Sequence, residues 1–133
     1  MARVLIIDDE AHLRLLYRLE LEMDGYNVLE VGTGNEALNL LEQEKIDAVV
    51  MDLWLPDMPW PKLLEQVLAR RPQVPIIINT AYEQWRDDFH CWGAEAYVVK
   101  SSDLSDLKHA LARFTSRKPA ARNGMNTARA VPA

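Results

Sequence analysis

Apolar residues fall along this chain in two alternating rhythms. Short runs rich in Val and Ile alternate with longer stretches in which apolar residues recur every three or four positions. The runs predict strands over residues 3–8, 26–31, 47–52, 74–79 and 95–100. Between them, His12, Leu15, Leu16, Leu19 and Met23 predict the apolar face of a first helix that runs to Asp24 and ends at Gly25. After a Gly32-Thr33-Gly34 turn, Ala37, Leu38 and Leu41 mark a second helix lasting to about Glu44. Pro61 opens a third, extending to Arg70. Residues 83–92 make a short fourth helix closed by Gly93, and 103–114 a fifth with Ser102 or Asp103 as its cap. Five strand-helix units in strict alternation imply a parallel sheet with helices on both faces, joined by right-handed crossovers.

Composition narrows the reading. At 133 residues the chain holds one domain with a real core, and 49% hydrophobic with 26% charged residues is ordinary globular usage. The periodicity stops after Phe114, so residues 1–115 are the expected domain and 116–133 a disordered tail or the start of a linker. The net charge of -5 hides a split, because the tail carries Arg117, Lys118, Arg122 and Arg129 and no acid. That leaves about -9 on residues 1–115, which argues against direct nucleic-acid binding. Cys91 stands alone and has no internal disulfide partner. No apolar run reaches the length of a membrane span or a signal-peptide core, so no membrane association and a cytoplasmic location are expected.

The first strand runs into LIIDDE, which delivers Asp8, Asp9 and Glu10 to one spot. Adjacent carboxylates repel and raise each other's pKa unless a cation is shared between them; a solvated acidic turn ahead of the helix is the bland alternative. The other strands help decide. In a doubly wound sheet the first, third, fourth and fifth strands end on one rim, where open α/β sheets bind ligands. Asp8 and Asp9, Asp52, Thr80 and Lys100 end those strands, a coherent set of three acids, a hydroxyl and an ammonium.

In this order and near-usual spacing, the residues resemble the receiver domain of bacterial two-component response regulators. The likeness covers residues 3–114 and rests on Asp8-Asp9, Asp52 followed by LWLP, Thr80-Ala81 after VPIIIN, and Tyr97-Val98-Val99-Lys100 after Gly93-Ala94. It implies a flavodoxin-like α/β fold and phosphorylation of an aspartate by a histidine kinase or a phosphorelay histidine. Asp52 would be the phosphoacceptor, with Lys100 supplying positive charge to the phosphoryl oxygens. Mg²⁺ would be held by Asp9, Asp52 and the Trp54 backbone carbonyl, with Asp8 holding a metal water, while Glu10 favours the following helix N-terminus. Thr80 and Tyr97 would form the switch, and Trp54 and Tyr82 would flank the approach of hydrolytic water. The output would pass to a protein target through the fourth helix, fifth strand and fifth helix, near Trp85, Phe89 and Trp92. A second copy of the chain is a candidate partner on phosphorylation. His12, His90 and His109 read as ordinary helix residues.

The chain departs from the family pattern in places. Trp60, between Pro59 and Pro61, stands where the loop after the phosphoacceptor usually has glycine, which implies another backbone path. Ser101 follows Lys100 where proline is usual, and the interval from Thr80 to Gly93 is about two residues short. Rival readings fare less well. A Mg²⁺-dependent phosphohydrolase needs a second acid two residues after its nucleophile, and Trp54 is there; a flavin carrier needs phosphate-binding amides where this chain has carboxylates. A receiver-like binding module that no longer requires phosphorylation is the remaining alternative. A phosphoacceptor signalling domain rather than an enzyme is expected, and because no recognisable output domain follows, the chain is expected to be a stand-alone regulator, a phosphorelay intermediate or a receiver cut from a longer chain.

Overall fold

The computed structural model describes residues 1–88 and 93–115. Its strands are β1 (Arg3–Ile7), β2 (Asn27–Val31), β3 (Ala48–Met51), β4 (Ile76–Thr80) and β5 (Ala96–Val99). Its helices are α1 (Ala11–Met23), α2 (Gly34–Gln43), α3 (Trp60–Arg70) and α4 (Ser105–Thr115). All strand pairs are parallel and the order is β2-β1-β3-β4-β5, the doubly wound flavodoxin-like arrangement expected. The chain reverses its winding direction between β1 and β3, and the crevice at such a point is where these sheets place their ligands. Of the fourth helix expected over 83–92, residues 86–88 form one tight helical turn and 89–92 lie outside the described residues. Phe89, His90, Cys91 and Trp92 therefore lie outside them too, as does the tail from 116 onward.

The strands are buried on both faces, as their unbroken apolar runs predict. Leu5, Ile7, Val49, Met51, Ile76 and Ile78 point to one side, against Leu38, Leu41, Leu63, Leu64 and Val67 of α2 and α3. Val4, Ile6, Ala48, Val50 and Ile77 point to the other, against Tyr17 and Leu21 of α1 and Leu107 and Leu111 of α4. A fully buried Leu or Ile contributes about 1.5–3 kcal/mol, so these two layers dominate the stability. Among the described residues, no helix is long and apolar enough to cross a membrane.

Helix boundaries follow local chemistry. Gly25 at φ +95° makes the turn after α1, a backbone region that L side chains rarely adopt. The Thr33 hydroxyl caps α2 by accepting from the Glu36 N–H, while the Glu36 carboxylate accepts from the Gly32 N–H and the Thr33 hydroxyl. Pro59 caps α3, with Pro61 in its first turn. At α4, the Asp103 carboxylate accepts from both the N–H and the hydroxyl of Ser105.

One expectation is overturned on α1. Leu15, Leu16, Leu19 and Met23, read as the buried face, are 45%, 40%, 51% and 81% exposed, and His12 is exposed beside them. The opposite face packs instead, through Tyr17 and Leu21. The ion pairs of Arg14 and Arg18 with Glu30, at 3.0 Å each, fix this rotation against β2, and Lys108 of α4 holds Glu20 at 3.0 Å on the other flank.

Candidate functional site

Sheet register carries each reactive side chain to the rim. Ile7 pairs with Met51, so the next residues, Asp8 and Asp52, sit side by side. The ladder extends one step beyond the strands: Asp8 N–H donates to the Val31 carbonyl at 3.1 Å and Asp52 N–H to the Ile7 carbonyl at 2.9 Å. Thr80 pairs with Val99, and the Lys100 N–H donates to the Thr80 carbonyl at 2.7 Å. The backbone thus fixes where these groups stand before any side-chain contact forms.

Asp8, Asp9 and Asp52 come together as expected, each offering a carboxylate oxygen within 4.8 Å of the others. Asp8 and Asp52 are buried and Asp9 is exposed, so the cluster opens to solvent on one side. Lys100 lies among them, 2.8 Å from Asp8 Oδ2, 3.0 Å from Asp52 Oδ2 and 3.5 Å from Glu10. Lys100 reaches the cluster with Ser101 after it, and among the described residues no peptide bond is cis. Glu10 occupies the N-cap position of α1 but makes no side-chain cap, its carboxylate leaning toward Lys100 instead.

Burial is the largest influence on Asp52 and pushes its carboxyl above the usual range. The Lys100 hydrogen bond and charge pull it back, the Asp8 charge adds to the rise, and the Leu53 N–H, 2.7 Å from Oδ1, lowers it again. For Lys100, burial alone would push the ammonium down. The hydrogen bonds and charges of Asp8 and Asp52 outweigh it and hold Lys100 well above the usual lysine range.

Thr80 is fully buried, and its hydroxyl is one of three buried side-chain polar atoms without a hydrogen-bond partner among the described residues. Such groups are rare in folded proteins, and each calls for a physical explanation. Tyr97 is buried on β5, and its hydroxyl donates to the Tyr82 carbonyl. Trp54 and Tyr82 face each other across the rim, edge to face, with ring centroids 5.6 Å apart.

Several neighbours were not singled out from sequence. Tyr17 of α1 is buried, hydrogen-bonds Asn79 and lies within electrostatic reach of Lys100, Asp8 and Asp52. Burial pushes its phenol up, outweighing the Asn79 hydrogen bond and the Lys100 charge, which pull it down. Asp57 explains the unusual loop after β3. Its two carboxylate oxygens accept from the Gly34 and Asn35 N–H groups at 2.9 Å each, stitching the loop to the start of α2. Burial pushes the Asp57 carboxyl up, but these N–H groups prevail and hold it below the usual range. An isolated antiparallel bridge between Trp54 and Pro59 closes the loop, so Trp60 turns inward as the first residue of α3.

Removing Lys100 should expose how strained the cluster is without it. Lys100→Met is expected to cost about 3 kcal/mol at neutral pH without divalent metal, because it leaves buried carboxylates uncompensated. A carboxyl raised in the folded state destabilises it as pH rises through the raised value, so protonating Asp52 relieves the strain. Urea denaturation should therefore show the loss shrinking as pH is lowered, and a loss independent of pH would contradict this.

The comparisons with known proteins agree with the geometry. A family model described as the response regulator receiver domain matches residues 4–112. The transcriptional regulatory protein PdtaR of Mycobacterium tuberculosis is 36% identical over 122 residues, covering 86% of this chain and 57% of that protein. A probable transcriptional regulator, ycf27 of Guillardia theta, is 36% identical over 108 residues, covering 80% of this chain and 42% of that protein. The chain thus spans about half the length of these relatives. Among solved structures, the response regulator TrrA of Thermotoga maritima in complex with Mg²⁺-BeF has a TM-score of 0.80 at 32% identity, covering 86% of this chain and 99% of that one. TrrA has also been solved in complex with the histidine kinase ThkA, with a TM-score of 0.79 at 32% identity over 86% and 98% of the two chains.

Proposed function

Since this chain belongs to the response regulator receiver domain family, we propose that Asp52 accepts a phosphoryl group from a phosphohistidine and that this switches protein-protein contacts. The observation that carries the reading is the convergence of Asp8, Asp9 and Asp52 within 4.8 Å, with Lys100 3.0 Å from Asp52. In the transfer, an Asp52 carboxylate oxygen attacks phosphorus and a P–O bond forms. The P–N bond breaks, and its electron pair returns to the donor imidazole. Lys100 stands where the phosphoryl oxygens need positive charge. The unpartnered Thr80 hydroxyl donates to one of them and draws its loop inward, and Tyr97, hydrogen-bonded to that loop, passes the movement to β5 and α4.

The carboxylate set suits a hard divalent cation, and all its donors are oxygens. We assign Mg²⁺ to Asp9, Asp52 and the Trp54 carbonyl, with Asp8 holding a metal-bound water. When bound, Mg²⁺ neutralises charge between the aspartates and the incoming phosphoryl group. The Mg²⁺-BeF complex of TrrA supports this assignment.

The donor approaches beside α1. Leu15, Leu16, Leu19 and Met23 lie exposed on the helix that starts just after the acid pair, so a histidine-bearing partner reaching Asp52 covers them. The ThkA complex of TrrA supports a histidine kinase as that partner. The output target meets β5, α4 and the segment before them, in the cytoplasm.

The test is intact-mass measurement after incubation with acetyl phosphate and Mg²⁺, followed by peptide mapping. One acid-labile phosphoryl group on Asp52 is expected, and an adduct elsewhere would overturn the site. No adduct at all would favour a binding module independent of phosphorylation.

A further inference from the structure

Two aromatic residues outside the phosphoryl site join loops that the switch must move. Trp60, at the start of α3, is buried at 8% exposure and packs against Trp85, five residues beyond Thr80. Their ring centroids are 5.7 Å apart at an interplanar angle of 59°. Trp85 itself is partly buried against the core layer shared by α2 and α3.

The segment between Thr80 and Trp85 is tied at further points. The Tyr97 hydroxyl donates to the Tyr82 carbonyl and is also met by the Trp85 backbone N–H. The Arg86 guanidinium lies 5.4 Å from the centroid of the Tyr97 ring. Yet two of the three buried, unpartnered polar atoms among the described residues bracket this same segment: Thr80 Oγ1 and Trp85 Nε1. The segment is thus packed through its aromatic rings while two polar groups at its ends lack partners, which costs free energy. A segment so balanced has reason to adopt a second arrangement once one of those groups gains a partner.

We propose that Trp60 and Trp85 are positioning residues, an aromatic clasp that sets the resting place of residues 81–88 and opens as Thr80 is drawn to the phosphoryl group. This rests on the reading of Asp52 as the phosphoacceptor. Trp60, which takes the place of the usual loop glycine, is then the half of the clasp on the phosphoacceptor loop, and Trp85 the half on the switch loop. Transfer to Asp52 and movement of the segment become coupled through the clasp, so loosening it shifts the resting population toward the reactive arrangement.

The experiment uses the full chain labelled with 5-fluorotryptophan, its four tryptophans assigned by single Trp→Phe substitutions. Fluorine NMR is recorded before and after adding Mg²⁺ and beryllofluoride, while parallel samples are labelled with acetyl phosphate and weighed. The Trp85 resonance should move on beryllofluoride addition in the wild type and stay in place in Thr80→Ala. In Trp60→Leu it should already lie toward the beryllofluoride position, and acetyl phosphate labelling should run about threefold faster. Trp60→Phe should restore both toward wild type. Should Trp60→Leu not fold, the comparison of wild type with Thr80→Ala decides. A Trp85 resonance that stays still in protein that takes up phosphoryl, or that moves equally in Thr80→Ala, overturns the clasp alone. Absence of any adduct on Asp52 overturns the phosphoacceptor reading and the clasp's coupling with it.

Discussion

Asp52→Asn protein should take up no phosphoryl group from acetyl phosphate, yet without divalent metal it should resist urea better than the wild type. The first effect follows from chemistry, since an amide oxygen is far too weak a nucleophile to form the acyl phosphate. The second follows from burial. Asp52 is 6% exposed, and desolvation together with the Asp8 charge holds its carboxyl above the usual range despite Lys100. A carboxyl raised in the folded state binds its proton more tightly there than in the unfolded chain. Its ionisation then works against folding as pH rises through the raised value. At neutral pH the asparagine variant escapes that penalty. Lys100 keeps its 2.8 Å contact with Asp8, so no buried charge is stranded. The advantage should vanish as pH is lowered past the ordinary aspartate range, and saturating Mg²⁺ should reverse the order by favouring the wild-type carboxylate. An asparagine variant less stable than wild type in metal-free buffer at neutral pH would contradict this account of the site.

What could be read from the amino-acid order depended on whether a residue's role shows in local patterning or only in contacts distant along the chain. The strands were legible because residues on both faces of a parallel sheet are apolar, as in Val4 to Ile7, and few other structures need such runs. The polar rim was legible for a related reason: acids and a lysine at the ends of buried strands have no packing role. The rotation of α1 was not legible. Its apolar residues almost encircle the helix, so Leu13, Tyr17 and Leu21 are as periodic as Leu15, Leu16 and Leu19. The choice between the faces is made by ion pairs to Glu30 on β2 and by Lys108 on α4, contacts distant in sequence. Asp57 escaped notice because it looks like any loop acid until the start of α2 is brought beside it. Tyr17 was hidden in the same way, and Asn79 read only as the end of a strand, until the fold brings the two into hydrogen-bond contact within electrostatic reach of Lys100. The orphaned Thr80 hydroxyl has a sequence signal in its position at a strand end, but its lack of a partner is visible only in three dimensions.

Loss of phosphate from Asp52 should be slow in the wild type and about tenfold faster in Trp54→Asn and Tyr82→Glu, a barrier change of about 1.4 kcal/mol. Hydrolysis needs a water in line with the scissile bond, opposite the Asp52 oxygen. Trp54 lies two residues after Asp52 and Tyr82 two after Thr80, and on the proposed reading of the site their loops flank that approach from β3 and β4. The rings meet edge to face, a geometry that closes the gap between the loops, whereas rings lying separately on the surface would leave it open. Both remain about half exposed, Trp54 at 54% and Tyr82 at 45%, so the barrier they form is thin and one substitution suffices to breach it. Neither ring offers a carboxylate or amide to orient an attacking water, whereas Asn and Glu do both things at once: they open the approach and supply an acceptor. The metal site is expected to survive Trp54→Asn, because only the backbone carbonyl of that residue is assigned to it. Because the rings contact each other, the two substitutions should be less than additive when combined. Trp54→Phe, which keeps a ring, should stay near wild type. The measurement is loss of the phosphoryl adduct by intact mass with Mg²⁺ present and no kinase, and unchanged or slower rates in both polar variants would exclude shielding.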